Sequence, residues 1–428
     1  MTMQELHSIF LRHPHVCTDT RKITPGAIFF ALKGDNFNGN KFAQQALEQG
    51  CAYAVIDEKE FALNEKCMLV DDVLSSLQQL AAFHRRHWGK KVLALTGSNG
   101  KTTTKELIHA VLKQTHNCLA TVGNLNNHIG VPLTLLSLKP EHELAIVEMG
   151  ANHQKEIELL CKIAQPDFGL ITNIGKAHLE GFGGEEGVLK GKGEMYEYIR
   201  EHKGTIFING DDEKLLSISE AIKQIRYGYN DGNYVKGKII DKDIFLEMEV
   251  SHDGKTTHVA TNLTGTYNGI NVLCAYAVGL EWGLNDKDIV KGIESYMPDN
   301  SRSQVVKTTY NTLILDAYNA NPSSMTLALE NLARIDAAEK MFVLGDMREM
   351  GNYAKAEHLS ILNKIKELNL QGVLVGDEFL RYQNDFNYTF FQNAADALEW
   401  LKLKQVKNNL VLIKGSRGIK LETVIPAF

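Results

Sequence analysis

Short, continuously apolar runs punctuate the chain at residues 27–32, 92–95, 144–148, 169–173, 205–208, 313–316, 341–344, 373–375 and 410–413. Runs of this length mark strands buried on both faces of a parallel sheet. Between them, apolar residues recur at helical spacing, as in Leu107, Ile108, Val111 and Leu112, and again in Val272, Leu273, Ala275 and Val278. Strand and helix alternate, which predicts an α/β fold. Residues 1–87 carry their own strand and turn signals and read as a small N-terminal α/β domain. Residues 88–298 read as a central doubly wound sheet. The pattern breaks at Pro298, and residues 299–428 begin a third alternation, a C-terminal Rossmann-like α/β domain.

One of these strand-to-helix junctions carries chemistry. Gly97, Ser98, Asn99, Gly100, Lys101, Thr102 and Thr103 join the run 92–95 to the helical pattern that follows. Glycines let the backbone approach a ligand, helix-start N–H groups attract anions, and a lysine and a threonine hydroxyl suit phosphate and its magnesium ion. The longer phosphate-loop pattern has a glycine where this chain has Leu95, so the match is to a shorter variant, Thr-Gly-x-Asn-Gly-Lys-Thr. Nucleotide binding is the expectation here, against an ordinary turn.

Other polar residues fall where sheets of this kind gather ligands, beyond the carboxyl ends of strands. Glu148 and His178 are such a pair and could ligate magnesium together, although each alone reads as a solvated carboxylate and an ordinary histidine. Lys190 and Lys192 follow on a helix whose plain reading is a basic face. Asn268 and Asn271 open an apolar helix, either to meet a purine edge or to cap it. In the third domain the polar clusters 316–322, 345–349 and 414–418 end strands, and Arg302, Lys414 and Arg417 could close over a nucleotide. In the first domain the loop 33–40 is rich in glycine and asparagine, which favours a plain turn over a phosphate pocket built from Thr20, Arg21 and Lys33.

Composition narrows the partners. The 428 residues are 44% hydrophobic and 23% charged, enough for sizeable cores, and a net charge of −6 argues against a nucleic-acid surface. No apolar run reaches membrane-spanning length and the first residues lack a secretory pattern, so a cytoplasmic protein without membrane insertion is expected. Six scattered cysteines without C-x-x-C spacing fit reduced thiols.

The motifs Gly97 to Thr104, 123–130 (Gly-Asn-Leu-Asn-Asn-His-Ile-Gly), 148–152 (Glu-Met-Gly-Ala-Asn), 177–183, 318–322 (Tyr-Asn-Ala-Asn-Pro) and 414–417 (Lys-Gly-Ser-Arg) together resemble the Mur ligases, ATP-dependent amide-forming enzymes of peptidoglycan synthesis. The resemblance runs almost end to end. It implies a UDP-substrate-binding domain, a central phosphate-loop ATPase and a C-terminal domain that closes to receive the amine. It makes Lys101 the phosphate lysine and Thr102, Glu148 and His178 magnesium ligands. Lys192, fourteen residues after His178, falls where related ligases carry a carbamylated lysine. Asn268 would contact adenine, Asp316 the ribose and Arg302 the phosphates of ATP.

Asp19, Thr20 and Arg21 fall in the stretch associated with UDP. Asn124, Asn127, Tyr318, Asn319, Asn321, Lys414, Ser416 and Arg417 complete the implied substrate contacts. The run 318–322 matches those family members that join D-alanyl-D-alanine to UDP-MurNAc-tripeptide, and a monomer is expected. Three positions depart from the family pattern: Tyr267 stands for a histidine, Ser301 for a glycine and Leu315 for the first of two aspartates. A nucleotide-regulated UDP-sugar-binding protein and a phosphate-loop kinase acting on a hydroxyl are the readings from other classes.

Overall fold

The computed structural model describes residues 2–240, 243–299 and 301–428. Asn300, in the stretch where the pattern breaks, lies outside the described residues. Each of the strand runs expected from the sequence forms a strand, because a continuously apolar segment can be buried only where both faces are covered. Three sheets result.

The first sheet is parallel, in the order Val16–Cys17, Ile28–Phe30, Tyr53–Ile56, Cys67–Leu69. Side-chain alternation divides its faces: Ile28 and Phe30 join Leu6, Phe10, Leu77 and Leu80 of helices Met3–Arg12 and Val73–Trp88, while Phe29 and Ala31 pack on Ala43 and Ala46. The polar loop after it is a small hairpin, Lys33–Gly34 against Phe37–Asn38, as a turn reading anticipates. Helix Val73–Trp88 starts on the Asp72 side chain, which accepts from the Ser75 N–H, and stops at Gly89 in the left-handed conformation (φ 73°). It runs almost directly into the strand Lys91–Thr96, third from one edge of the second sheet.

That second sheet has nine strands, in the order Lys255–Thr264, Phe245–His252, Val235–Ile239, Lys223–Gly228, Thr205–Asn209, Phe168–Ile171, Lys91–Thr96, Leu144–Glu148, Cys118–Ala120. Seven are parallel and the outermost two at one edge are antiparallel. This edge extends the doubly wound sheet expected from the sequence. Its signal was present in the chain: Phe245–His252 alternates buried and less buried residues, and Asp253–Gly254, both at positive φ, turn it directly into Lys255–Thr264. Val92 and Ala94 face helices Val73–Trp88, Gly130–Leu136, Glu156–Ala164 and Glu185–Glu201; Leu93 and Leu95 face Lys101–Leu112, Gly269–Glu281 and Asp286–Ser295.

The third sheet runs Gln304–Lys307, Thr312–Asp316, Asn409–Lys414, Glu339–Gly345, Gly372–Val375, Thr389–Phe391, antiparallel only at its first pair. Helices Pro322–Arg334 and Ala354–Glu367 cover one face and Ala394–Lys404 the other. Among the described residues, no helix is long and apolar enough to cross a membrane.

A histidine pair ties the first helix to the central layer. His84 Nε2 lies 3.0 Å from the Leu138 carbonyl and must donate to it, so the neutral ring offers Nδ1 as acceptor to His7 Nε2 at 3.1 Å. Burial, with the charges of His84 and His87 adding, pulls the His7 imidazole from its ordinary 6.5 down to about 4. The folded state favours the neutral ring, so this contact's stability is whole above 6.5 and is lost as pH falls from there towards 4. The urea midpoint should therefore drop across that window, and drop less in His7→Gln, which can still donate to His84 but does not titrate. Equal drops in the two proteins would remove His7 from the account.

Candidate active site

The phosphate loop is held by its neighbour strand rather than by itself. Ser98 Oγ donates to the Gly175 carbonyl at 3.0 Å and accepts from the Gly175 N–H at 2.9 Å. The Asn99 N–H donates to Asn173 Oδ1 at 3.0 Å, and the Asn99 carbonyl accepts from Thr172 Oγ1 at 2.6 Å and Asn173 Nδ2 at 3.0 Å. Gly97 is obligatory: at φ 145° an added Cβ would sit 1.9 Å from Thr172 Oγ1. Gly100, at φ 79°, starts the helix Lys101–Leu112. Lys101 folds back over the loop, its Nζ donating to the Gly97 carbonyl at 2.7 Å, and burial pulls its ammonium down to about 8, with Glu148 opposing and Arg302 adding to the shift.

Glu148 ends its strand almost fully buried. Its Oε1 accepts from Asn126 Nδ2 at 2.8 Å and Thr102 Oγ1 at 3.3 Å, while Oε2 has no hydrogen-bond partner. Lys192 is wholly buried on the helix Glu185–Glu201, its Nζ without a hydrogen bond and 5.2 Å from the centre of the Phe182 ring. Burial first, then the Lys101 charge, drives its pKa well below the usual lysine range. The plain reading of a solvated basic face fails for Lys192. His178 takes the left-handed conformation (φ 53°) and puts Nδ1 2.5 Å from Oε2 of Glu349, a residue of the third sheet's loops that is itself at φ 63°. That imidazole holds the Glu349 carboxyl below its ordinary range.

Lys101, Glu148, His178 and Glu349 open onto one cavity of about 610 Å³, which Lys192 does not line. From the central sheet, Ser98, Asn99, Gly100, Lys101, Thr103, Glu148, His178 and Asn268 line it. The loop after Cys118–Ala120 brings Asn124, Asn126 and Asn127, and the third sheet brings Arg302, Asp316, Tyr318, Asn319, Asn321, Glu349 and Lys414. Gly97, Thr102, Lys192, Ser416 and Arg417 adjoin this lining without forming it. Arg302 stacks its guanidinium 3.8 Å from the Tyr318 ring centre and Arg417 lies 5.3 Å from the same ring. Lys414 Nζ pairs with Asp316 at 2.5 Å, and Ser416 Oγ accepts from the Arg348 N–H at 2.9 Å.

Several sequence-derived candidates have other tasks in this geometry. Asn321 caps the helix Pro322–Arg334 through the Ser324 N–H at 2.9 Å, and its Nδ2 reaches across to Asn99 Oδ1 at 2.7 Å. Both ends of its amide are engaged. Asn268 is not a side-chain cap either: Nδ2 donates to the Thr264 carbonyl at 2.7 Å and Oδ1 accepts from Asn271 at 2.9 Å. Asn127 caps the helix Gly130–Leu136, accepting from the Gly130 N–H at 2.8 Å. Asp19 caps the short turn Thr20–Lys22 and pairs with Arg21 at 2.8 Å, which holds its carboxyl down to about 2; this trio stays outside the cavity. Lys33 is paired with Asp57 at 3.0 Å.

Sequence reasoning did not single out Asn126, Asn173, Lys105 or Glu349 as site residues, although Asn126 stands in the motif 123–130, Asn173 ends the run 169–173, Glu349 ends the polar cluster 345–349 and Lys105 is a second lysine one helical turn after Lys101. The departures from the family pattern have structural reasons. Ser301 keeps the left-handed φ (55°) that a glycine would take, the Tyr267 hydroxyl meets Ser303 Oγ at 3.2 Å, and Leu315 packs into the core while Asp316 faces the cavity.

The third sheet is drawn against the second. Besides Asn321 to Asn99, the Lys176 Nζ meets Glu357 at 2.6 Å, the Lys176 N–H donates to Ser323 Oγ at 3.1 Å, and Asn331 Nδ2 donates to Thr264 Oγ1 at 3.1 Å. A phosphate loop facing a third α/β layer across a shared polar cleft is the layout of a nucleotide-driven ligase that closes on its substrates.

The chain belongs to the Mur ligase family: it matches "Mur ligase family, catalytic domain" over residues 14–85, "Mur ligase middle domain" over 95–279 and "Mur ligase, glutamate ligase domain" over 301–417. Within the family it is 34% identical to the Bacillus subtilis protein called UDP-N-acetylmuramoyl-tripeptide--D-alanyl-D-alanine ligase, across 96% of this chain and 92% of that one. It is 35% identical to the Escherichia coli protein of the same name, across 96% and 93%. A crystal structure of MurF from Acinetobacter baumannii superposes with a TM-score of 0.87 at 32% identity, covering 96% of this chain and 92% of that chain. MurF from Thermotoga maritima in complex with ADP superposes at 0.86 and 25% identity, covering 98% and 97%.

The Lys176–Glu357 pair is partly exposed, and such pairs contribute up to about 1 kcal/mol, enough to shift an open–closed equilibrium by roughly fivefold. Lys176→Met should enlarge the radius of gyration in small-angle scattering while leaving the melting temperature within about 2 °C. An unchanged scattering curve would show that the other contacts hold the closure alone.

Proposed function

We propose that this chain joins D-alanyl-D-alanine to UDP-MurNAc-tripeptide at the expense of ATP, giving UDP-MurNAc-pentapeptide for peptidoglycan synthesis. The observation that carries the reading is the single cavity in which the phosphate loop, buried Glu148 and the third-sheet residues 316–321 face one another. In this reading residues 1–87 hold the UDP end through Asp19, Thr20 and Arg21, residues 88–298 hold ATP, and residues 299–428 receive the dipeptide. The protein works as a cytoplasmic monomer, without nucleic acid or membrane insertion.

A carboxylate does not acylate an amine in water, because its hydroxide-like oxygen is too poor a leaving group. A terminal carboxylate oxygen of the tripeptide attacks the γ-phosphorus of ATP, the bond from that phosphorus to its bridging oxygen breaks, and ADP leaves. The dipeptide amine, having lost its extra proton to solvent, attacks the acyl carbon, the carbon–oxygen bond to phosphate breaks, and the departing phosphate takes the second proton that the nitrogen gives up as the amide forms. Lys101 and Arg302 stand where negative charge develops on the transferred group, and closure of the third sheet keeps water from the acyl phosphate.

Magnesium fits the residues present. Glu148 offers a buried oxygen with no hydrogen bond beside the Thr102 hydroxyl, His178 faces the same cavity, and phosphate oxygens would complete the shell. No three His, Cys, Asp or Glu side chains among the described residues could hold a cation by themselves. When bound, the ion neutralises charge on the transferred phosphoryl group. Lys192 fits carbamylation, since a buried amine with a strongly lowered pKa is neutral and nucleophilic towards carbon dioxide, losing a proton as the carbamate forms.

Two predictions follow from these assignments. Activity should fall when bicarbonate is stripped and return on its addition, and Lys192→Arg should not restore it; normal turnover in Lys192→Arg would end the carbamate assignment. Offered at equal concentration with ATP and either tripeptide substrate, D-alanyl-D-alanine should outcompete D-alanine, L-lysine and diaminopimelate by roughly 10⁴-fold, because a site built for an internal amide leaves polar groups unpaired otherwise. Product mass and phosphate release decide this. Release that needs both the carboxylate and the amine excludes a regulator and a kinase, whereas a mass gain of a single residue would reassign the amine.

A further inference from the structure

Lys105 is as thoroughly buried as any residue of the protein, and the reaction described above makes no use of it. It lies one turn beyond Lys101 on the helix Lys101–Leu112 and is absent from the cavity lining. A lysine is rarely buried so completely unless paired. Its Nζ donates to the Thr121 carbonyl at 2.6 Å, pairs with Glu106 at 2.9 Å, and lies 3.9 Å from Oε2 of Glu148, the oxygen that no hydrogen bond reaches.

Thr121 is itself a junction. Its hydroxyl accepts from the Glu148 N–H at 3.0 Å, and it opens the loop that carries Asn124, Asn126 and Asn127 into the cavity. Asn126 returns to Glu148 Oε1 at 2.8 Å, and its carbonyl accepts from the Gly150 N–H at 2.8 Å. Lys105, Thr121, Glu148 and Asn126 thus form a closed circuit. Two groups of the phosphate-loop helix tie to it: the Lys105 ammonium, and the Thr102 hydroxyl, which donates to Glu148 Oε1 at 3.3 Å.

We propose that Lys105 is a positioning residue that fixes the loop 121–127, and with it the acyl substrate, against the nucleotide site, while its charge compensates the free oxygen of Glu148. This rests on the functional reading above, with Asn124 and Asn127, the substrate contacts implied by the family resemblance, taken to meet the UDP-MurNAc-tripeptide. Removing the ammonium frees the loop but leaves the glycine loop, whose hydrogen bonds run to Thr172–Gly175, untouched.

The test compares Lys105→Met with the unaltered chain in two measurements. Amide hydrogen exchange without substrates should speed up about tenfold or more across residues 121–127 and stay within about threefold across residues 96–104. Steady-state kinetics should show the KM for UDP-MurNAc-tripeptide raised about tenfold and the KM for ATP changed less than about threefold. If Lys105→Met does not fold, Lys105→Gln, which removes the charge and carries its amide on a shorter side chain, is measured in the same way, with changes in the same direction and smaller in size. Exchange or KM values that rise together in both regions, or that do not change, overturn the proposal. An unaltered chain that forms no product with ATP and both substrates would instead overturn the functional reading, and the exchange result would still stand by itself.

Discussion

Desolvation of charge is the constraint on which this site depends. Lys101, Lys105 and Lys192 crowd beneath or beside one cavity with a single deeply buried carboxylate, Glu148, among them. Charge taken out of water must be paired, hydrogen-bonded or given up. Lys105 takes the first course with Glu106, Lys101 borrows the carbonyls of its own loop, and Lys192 has neither, so its amine is driven towards the neutral form. The cavity lining itself sets Lys101, Arg302 and Lys414 against Glu148, Glu156, Asp316 and Glu349, so charge of both signs faces the same space.

How much of this could be read from the chain follows from how local each signal was. The glycine loop, the strand before it and the helix after it are legible because turn, strand and helix start lie within a dozen consecutive residues. The antiparallel edge was equally legible in Asp253–Gly254, but its alternating strands lack the continuous apolar character that marks the parallel ones. Lys192 stood on what looked like a polar helix face, and only the packing of Phe182 over it shows otherwise. Glu349 and Asn126 stood inside a polar cluster and a motif, but their pairings could not be read, since the partners that define them, His178 and Glu148, are remote in the chain and meet only through sheet topology. Asn321 was legible as a cap, by the Pro322 that follows it, but not as a tie to Asn99.

An apolar cluster runs from the central layer, through Leu179 and Phe182, into the third, through Met347 and Met350, and small polar contacts join the two across the cleft. Asparagine to asparagine, lysine to glutamate and histidine to glutamate pairs each exchange readily with water. Such contacts specify an orientation without making it irreversible, as a site that must admit and release several substrates in each turnover requires. Left-handed backbone at Ser301 and Ser303, at the entry to the third sheet, sets the direction from which that sheet approaches.

Helix Val73–Trp88 has a separate consequence. One stripe of it closes the first sheet through Leu77 and Leu80, while its end is fastened to the central layer by Arg85, which donates to the Ala164 carbonyl at 2.9 Å, and by Trp88, which donates to the Lys139 carbonyl at 3.1 Å. A shared wall of this kind makes the first sheet a poor candidate for modular exchange. Cut before the helix, the first sheet loses one whole covering face; cut after it, the central layer loses the residues that plug its flank. Recombination between relatives would preserve both cores only where the crossover carries the helix and its receiving surface together, so these two layers are expected to have diverged as a unit while the third sheet was free to vary separately.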